Sequence, residues 1–303
     1  MLALSVHVDT FSERPMLTTM ALHSDMSDDS DSPDIECFEA LPVDTFQAIG
    51  SSISAIRRLI KQQQKLPINV IKYLCFTNVQ PSVAEHFSSA SNRQMFHHGT
   101  RYMIIKLVTG AHDAASRGLC GEVRDVIRDM GLDDSIYAVG SKTVRGRYCS
   151  KQADESWVLE TPIPGRDAKW PTVVVEVGVS ESYRKLKADA LWWLANSKGH
   201  VKLVIIVSIN RTTPEIKFET VILDPVALRN QRRRYIPIIR QSITTSRQPG
   251  QPNAQITVSP AVALTVEFEE LFCRQPVPPE HSIEILPSRL GRVSRSVWAE
   301  QGL

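Results

Sequence analysis

Cysteine is scarce and scattered in this chain of 303 residues: Cys37, Cys75, Cys120, Cys149 and Cys273 are odd in number and form no CxxC pair. That pattern argues against a disulfide framework and a structural zinc site, and points to a reducing compartment. No apolar run approaches the roughly 18 residues that cross a bilayer. The opening residues lack a basic stretch followed by an apolar one, so no signal peptide is expected. An intracellular protein is expected, in nucleus or cytoplasm, with no membrane partner. An excess of charge of one sign is also missing, since the formal net charge is only +2, and only its distribution along the chain can inform. No Gly-x-Ser-x-Gly elbow surrounds Ser180 and Ser182, and no phosphate-binding glycine loop is present, so no organic cofactor is expected. His97, His98 and His112 have no second histidine or cysteine at ligand spacing on a helix, which leaves zinc catalysis without support.

What is there divides the chain unevenly. Residues 1–40 are polar, with an acidic serine run at 24–32, and are expected to be a disordered tail. Residues 41–99 are expected to be a helical N-terminal extension, because Phe46, Ile49, Ile53, Ile56 and Ile60 share one helical face after a cap at Asp44. A second helix is expected around Leu119, Val123, Val126, Ile127 and Met130. Then the period changes: residues 136–143 and 148–154 read as strands joined across Arg145-Gly146, and 171–177 as a strand covered on both faces. Ser180 is placed to cap a helix running to Asn196, followed by a buried strand at 201–207 and a further one at 215–223. The remaining residues, with 274–303 as a C-terminal extension, are expected to add a strand near 263–266 and a closing helix with Leu290, Val293 and Val297 inward. The order helix, strand, strand, strand, helix, strand makes the fold α/β.

Glu176 carries the chemical information. A carboxylate inside a strand of valines must be paired, metal-bound or protonated. Asp154 ends the preceding strand, and a loop between them lets the two strands run side by side. Two hard oxygen ligands converging at one sheet edge suit Mg²⁺ or Mn²⁺.

Lys151-Gln152-Ala153-Asp154, the run from Pro171 through Glu176 and Gly178 to Ser182, and Asp189-Ala190-Leu191-Trp192-Trp193-Leu194 resemble the core of a mainly fungal group within the PD-(D/E)XK nuclease-like superfamily. The resemblance spans residues 100–273. It implies a restriction-endonuclease-like αβββαβ core with a mixed central sheet flanked by helices. In such a core Asp154 and Glu176 hold the metal, and a lysine helps position or deprotonate the water that attacks a phosphodiester of DNA or RNA. Two departures stand out. Ala153 replaces the proline of the family name, and Gly178 occupies the place of the signature lysine, where it offers no cation.

The lysine is then sought on the following helix, at Lys187 or Lys185. Helical geometry sets Lys187 at the edge of the arc of Tyr183, Leu186, Ala190, Trp193 and Leu194, and gives Lys185 an i,i+4 pairing with Asp189. Snorkelling for Lys187 and a surface pair for Lys185 are the blander alternatives. Glu122 is a further candidate metal ligand, set against simple solvation. Arg232, Arg233 and Arg234 are candidates for phosphate contacts, set against a solvated loop. The leading expectation is a metal-dependent nuclease. The alternative is a catalytically degenerate nuclease fold kept as a nucleic-acid-binding or protein-interaction module, and a homodimer is left open.

Overall fold

A computed structural model describes residues 32–65, 72–87, 89, 91–179, 182–226 and 235–303. The serine run up to residue 31, the Ser180 cap and Arg232, Arg233 and Arg234 lie outside these residues.

Two mixed sheets and the helices between and around them form the molecule. Helix α1 (Pro33–Glu39) lies in the stretch expected to be a disordered tail; it opens on proline with Asp34 and Glu36 in its first turn, as the helix dipole favours. It orders because Cys37 and Asp34 are buried against the later helix α5 (Tyr183–Asn196), where Asp34 accepts a hydrogen bond from Trp192 Nε1 at 2.7 Å.

The region expected to be helical, 41–99, is a mixture. Strand β1 (Phe46–Ile49) comes first, and helix α2 (Ile53–Gln64) begins only at Ser52, whose hydroxyl accepts from the Ala55 amide at 3.2 Å. The break falls at Gly50, where a Cβ would sit 2.5 Å from Val79, so the extended chain passes there only as glycine. Ile56 and Ile60 keep their shared buried face, but Phe46 and Ile49 belong to the strand. Beyond them come β2 (Lys72–Thr77), α3 (Pro81–His86), β3 (Asn92–His97) and β4 (Tyr102–Leu107). With β6 (Thr143–Arg145) and β7 (Cys149–Gln152) these strands make a sheet in the order β1-β2-β4-β3-β7-β6.

The second sheet is the core of the α/β fold. Its order is β13-β12-β11-β10-β9-β8-β5, where β5 is Ile136–Ala138, β8 Glu155–Leu159, β9 Val173–Val179, β10 Leu203–Ile209, β11 Glu215–Leu223, β12 Pro237–Ser246 and β13 Thr257–Ser259. β9 and β10 are parallel, joined by α5 as a crossover helix, and their other neighbours are antiparallel. The expected hairpin across Gly146 forms between β6 and β7, while β5 pairs with β8 in the other sheet. A small pair, β14 (Leu264–Val266) with β15 (Ile283–Ile285), and helix α6 (Phe268–Phe272) complete the C-terminal part.

Both faces of β9 are buried, which is why it reads as an apolar run. Val173, Val175 and Val177 face a core closed by α4 (Gly110–Asp129) and α7 (Pro287–Gln301), with Leu290, Val293 and Val297 turned inward. Val174 and Val179 face a second core with α5 and the first sheet, and the far side of that sheet packs on α2. Fully burying a side chain such as Val or Leu contributes about 1.5–3 kcal/mol, so these three clusters supply the main stabilisation.

β7 and β8 are one extended segment that leaves the first sheet and enters the second. Ala153 and Asp154 lie at the crossing, and the Asp154 amide donates to the Val175 carbonyl at 3.2 Å. That crossing places Asp154 beside Glu176.

Candidate functional site

Three layers present charge to one enclosed point. From the first sheet, the register sets Tyr73, Lys106 and Arg93 in one cross-strand row, and Ile104, Met95 and Lys151 in the next. From β9 comes Glu176. From α5 come Lys185, Asp189 and Trp193, spaced four residues apart and so stacked on one helical face. The N-terminus of α4 adds His112, two residues into a helix capped by Thr109.

Asp154 and Glu176 do converge, and Lys106 Nζ lies at their meeting point, 2.5 Å from Asp154 Oδ2 and 3.8 Å from Glu176 Oε2. Asp154 Oδ2 also accepts from the Val177 amide at 2.7 Å. His112 Nε2 stands 2.9 Å from Asp154 Oδ1, and Arg93 Nε 3.6 Å. Glu176 Oε1 accepts from Lys151 Nζ and from Trp193 Nε1, each at 2.6 Å. Lys151 also lies 3.1 Å from Asp189, whose second cation is Lys185. Three carboxylates and three lysines thus interlock, with Arg93 and His112 at the margin. Desolvating ions costs several kcal/mol each, and only this mutual pairing makes their burial tolerable.

The titration of the cluster reflects both burial and pairing. Burial pushes the Asp154 carboxyl up, but His112, Lys106 and Arg93 outweigh it and hold the group well below the usual carboxylate range. Asp189 is likewise lifted by burial and brought below its ordinary value by Lys151 and Lys185. Glu176 ends above its ordinary value, raised by burial and by the neighbouring Asp189 and Asp154 against the pull of Lys151. For Lys151 burial favours the neutral amine, yet Asp189 and Glu176 keep its proton bound more tightly than usual. A lysine that deprotonates water needs a pKa near the operating pH. Lys151 is moved in the opposite direction.

A pH dependence of stability follows from these directions. The stability conferred by Asp154 and Asp189 is complete above their ordinary value of 3.8 and is lost as pH falls through their lower folded values. The contribution of Lys151 is complete below 10.5 and is lost as pH rises through its higher folded value. Glu176 has the opposite sign to the two aspartates, its ionisation above 4.5 weakening the fold slightly. Urea denaturation is expected to show lower stability at about pH 3 than at pH 7, and Asp154→Asn should narrow that difference. An undiminished difference in the variant would place the acid sensitivity elsewhere.

The donor set does not fit a divalent ion as arranged. Mg²⁺ requires oxygens at about 2.0–2.1 Å in octahedral array and keeps several waters. Here the oxygens that would face it already accept from ammonium groups, and the cavity lined by Glu176, Asp189, Lys106 and Lys151 measures about 20 Å³. That is room for about one water. The side chains of Asp154 and Glu176 are 0% and 2% exposed, so a phosphodiester has no approach to them. Among the described residues, no three His, Cys, Asp or Glu side chains are grouped to hold a metal.

The other sequence candidates fall in different places. Lys185, not Lys187, is buried: α5 is covered on the flank of Lys185, Asp189 and Trp192 by α1 and the first sheet, so the expected surface pair is an interior one. Lys187 is exposed and lies over the Tyr183 ring at 5.0 Å, away from the buried tryptophans. Glu122 is not left to solvent, and it lies apart from Asp154 and Glu176. It accepts from Arg289 and Arg292 of α7 at 3.2 Å, ten residues beyond His112 and so about 15 Å along α4. Arg240 and Arg247, flanking the arginine-rich stretch, are engaged internally, with Glu270 and with the Pro252 and Leu303 carbonyls. Trp192 and Trp193 are fully buried, which removes them as base-stacking platforms.

Lys106, Lys151, Arg93 and His112 are the members sequence reasoning passed over. One signal was present: Lys106 interrupts the apolar strand Tyr102–Leu107 as Glu176 interrupts its own. His112 and Arg93 carried no such mark, since neither interrupts a continuous apolar run.

No protein-family model matches the sequence, and no curated protein does. Among solved structures, the chain is similar to a protein from Anabaena variabilis proposed to be a nuclease of the DUF820 family, at 12% identity and a TM-score of 0.36, with 73% of this chain and 97% of that one covered.

Proposed function

We propose that this chain is a nuclease-like α/β fold serving as a binding module for nucleic-acid components, its former metal position taken over by lysines. One observation carries this reading: Lys106 Nζ stands between Asp154 and Glu176, where a divalent cation would have to sit. The order helix, strand, strand, strand, helix, strand and the motifs around Asp154, Glu176 and Asp189 support the nuclease-like ancestry. Gly178, in place of the signature lysine, supports the loss of chemistry.

A second reading is kept by the convergence of Asp154 and Glu176 themselves: a metal-dependent phosphodiesterase, with Mg²⁺ or Mn²⁺ on those two carboxylates and Lys185 or Lys151 nearby. In that case the metal would polarise the phosphate and lower the pKa of a bound water. Calorimetry with Mg²⁺ and Mn²⁺ on the full chain, beside cleavage assays on plasmid, single-stranded DNA and RNA, separates the two. The binding-module reading expects neither metal binding nor cleavage. Cleavage abolished by both Asp154→Asn and Glu176→Gln would overturn it.

A further inference from the structure

A larger cleft opens on the other side of Tyr73. It has a volume of about 690 Å³, within the range typical of small-molecule sites. Its position follows from topology: β9 and β10 are the parallel pair of the second sheet, with Val179 opposite Ile209 at their carboxyl ends. In open α/β sheets, ligands sit outside the carboxyl ends of parallel strands. Arg184 follows β9 and Arg211 follows β10, so the segment after each strand of the pair places one arginine on the lining of the same cleft. Among the described residues Asp44 is the one carboxylate on the lining, and Leu41 and Phe46 furnish an apolar wall.

Tyr73 gives an independent pointer. It is 4% exposed, lines both the cleft and the small cavity of the ion cluster, and its hydroxyl interacts with the side chain of Ser182. Beside it on the lining stands Ser182, at the start of α5, whose Oγ donates to the Val179 carbonyl and retains acceptor capacity.

We propose that this cleft binds a phosphomonoester carried on a nucleoside, the phosphate held by Arg184 and Arg211 and reached by the Tyr73 hydroxyl, the base against Phe46 and Leu41. Two arginines present planar forks of donors that match phosphate oxygens, and the first turn of α5 adds the favourable end of its dipole. The same chemistry is offered by a free mononucleotide and by the 5′-phosphorylated end of an oligonucleotide. No metal is required, because the cations are supplied by the protein. The inference rests on the binding-module reading and names its ligand.

The test is metal-free titration calorimetry of the full chain with AMP, adenosine, inorganic phosphate, and a short oligonucleotide with either a 5′-phosphate or a 5′-hydroxyl. Saturable AMP binding is expected, with adenosine at least tenfold weaker and Arg184→Ala reducing AMP affinity at least tenfold. Tyr73→Phe, which keeps the ring, should weaken AMP binding severalfold in a protein that still melts cooperatively. A preference for the 5′-phosphorylated oligonucleotide over AMP would assign the ligand to nucleic-acid ends, and the reverse to free nucleotide. Absence of binding by all phosphorylated probes, or AMP binding untouched by Arg184→Ala in a folded variant, would overturn the proposal. Metal-dependent cleavage alongside intact AMP binding would instead overturn the reading of the ion cluster alone.

Discussion

Lys106→Met is expected to destabilise the fold by about 3–5 kcal/mol, the range for removing one partner of a buried ion pair. The lysine side chain is 6% exposed, and its ammonium faces two carboxylates that have almost no contact with solvent. Methionine keeps the length and the packing of the stem while leaving Asp154 without its closest cation. The loss should therefore be electrostatic and not volumetric. Combining Lys106→Met with Asp154→Asn should recover a large part of it, since the amide still accepts from the Val177 amide without carrying charge. Denaturation of the two single variants and the double variant gives the coupling directly. Additive losses would mean that Lys106 and Asp154 do not act as a pair, and the account of the cluster as a lysine-neutralised interior would fail.

The second large effect is at Gly178. Gly178 lies on the same face of β9 as Glu176, at the position where the proposed nuclease resemblance would put a lysine. A Cβ there would approach the Cδ and Cγ atoms of Leu186 to 2.9–3.0 Å, and Leu186 is itself fully buried. Gly178→Ala is expected to cost about 1–3 kcal/mol through overpacking. Gly178→Lys should cost more, because it adds an ammonium to a face where Lys106, Lys151 and Lys185 already neutralise the carboxylates. Thermal melting of both variants checks the order. A Gly178→Lys protein as stable as the wild type would show that α5 can move aside, and would reopen the site to a strand-borne catalytic lysine. Placing a lysine here is thus expected to damage the protein, because the glycine and the close approach of Leu186 on α5 form one packing arrangement.

Much of this fold was legible along the chain. The valine run of β9 and the apolar run of β10 had only one physical reading, since continuous apolar strands are buried on both faces. The length between them and the pattern of Tyr183–Asn196 required a helix, and the result is the parallel pair with its crossover helix. Glu176 was identifiable as a residue in need of a partner for the same reason. The closing helix followed from Leu290, Val293 and Val297 alone. The strand β1 did not: Phe46 and Ile49 match a helical period as well as a strand, and a contact between Gly50 and Val79, distant in sequence, decides for the strand.

The partners of Glu176 and Asp154 belong to the tertiary structure. Local pattern can say that a buried charge must be compensated, because desolvation depends only on burial. It cannot say by what. Lys106 on β4, Lys151 on β7, Lys185 on α5 and His112 on α4 meet only because one extended segment crosses from the first sheet to the second at Asp154, bringing the first sheet over α5. The helix period ranked Lys187 as the buried lysine, and the sheet and α1 lying against the opposite flank made it Lys185. The requirement for compensation was thus written in the local sequence, whereas the choice of ammonium groups was made by which strands and helices pack together, since the sign and source of a neighbouring charge depend on contacts between residues far apart in the chain.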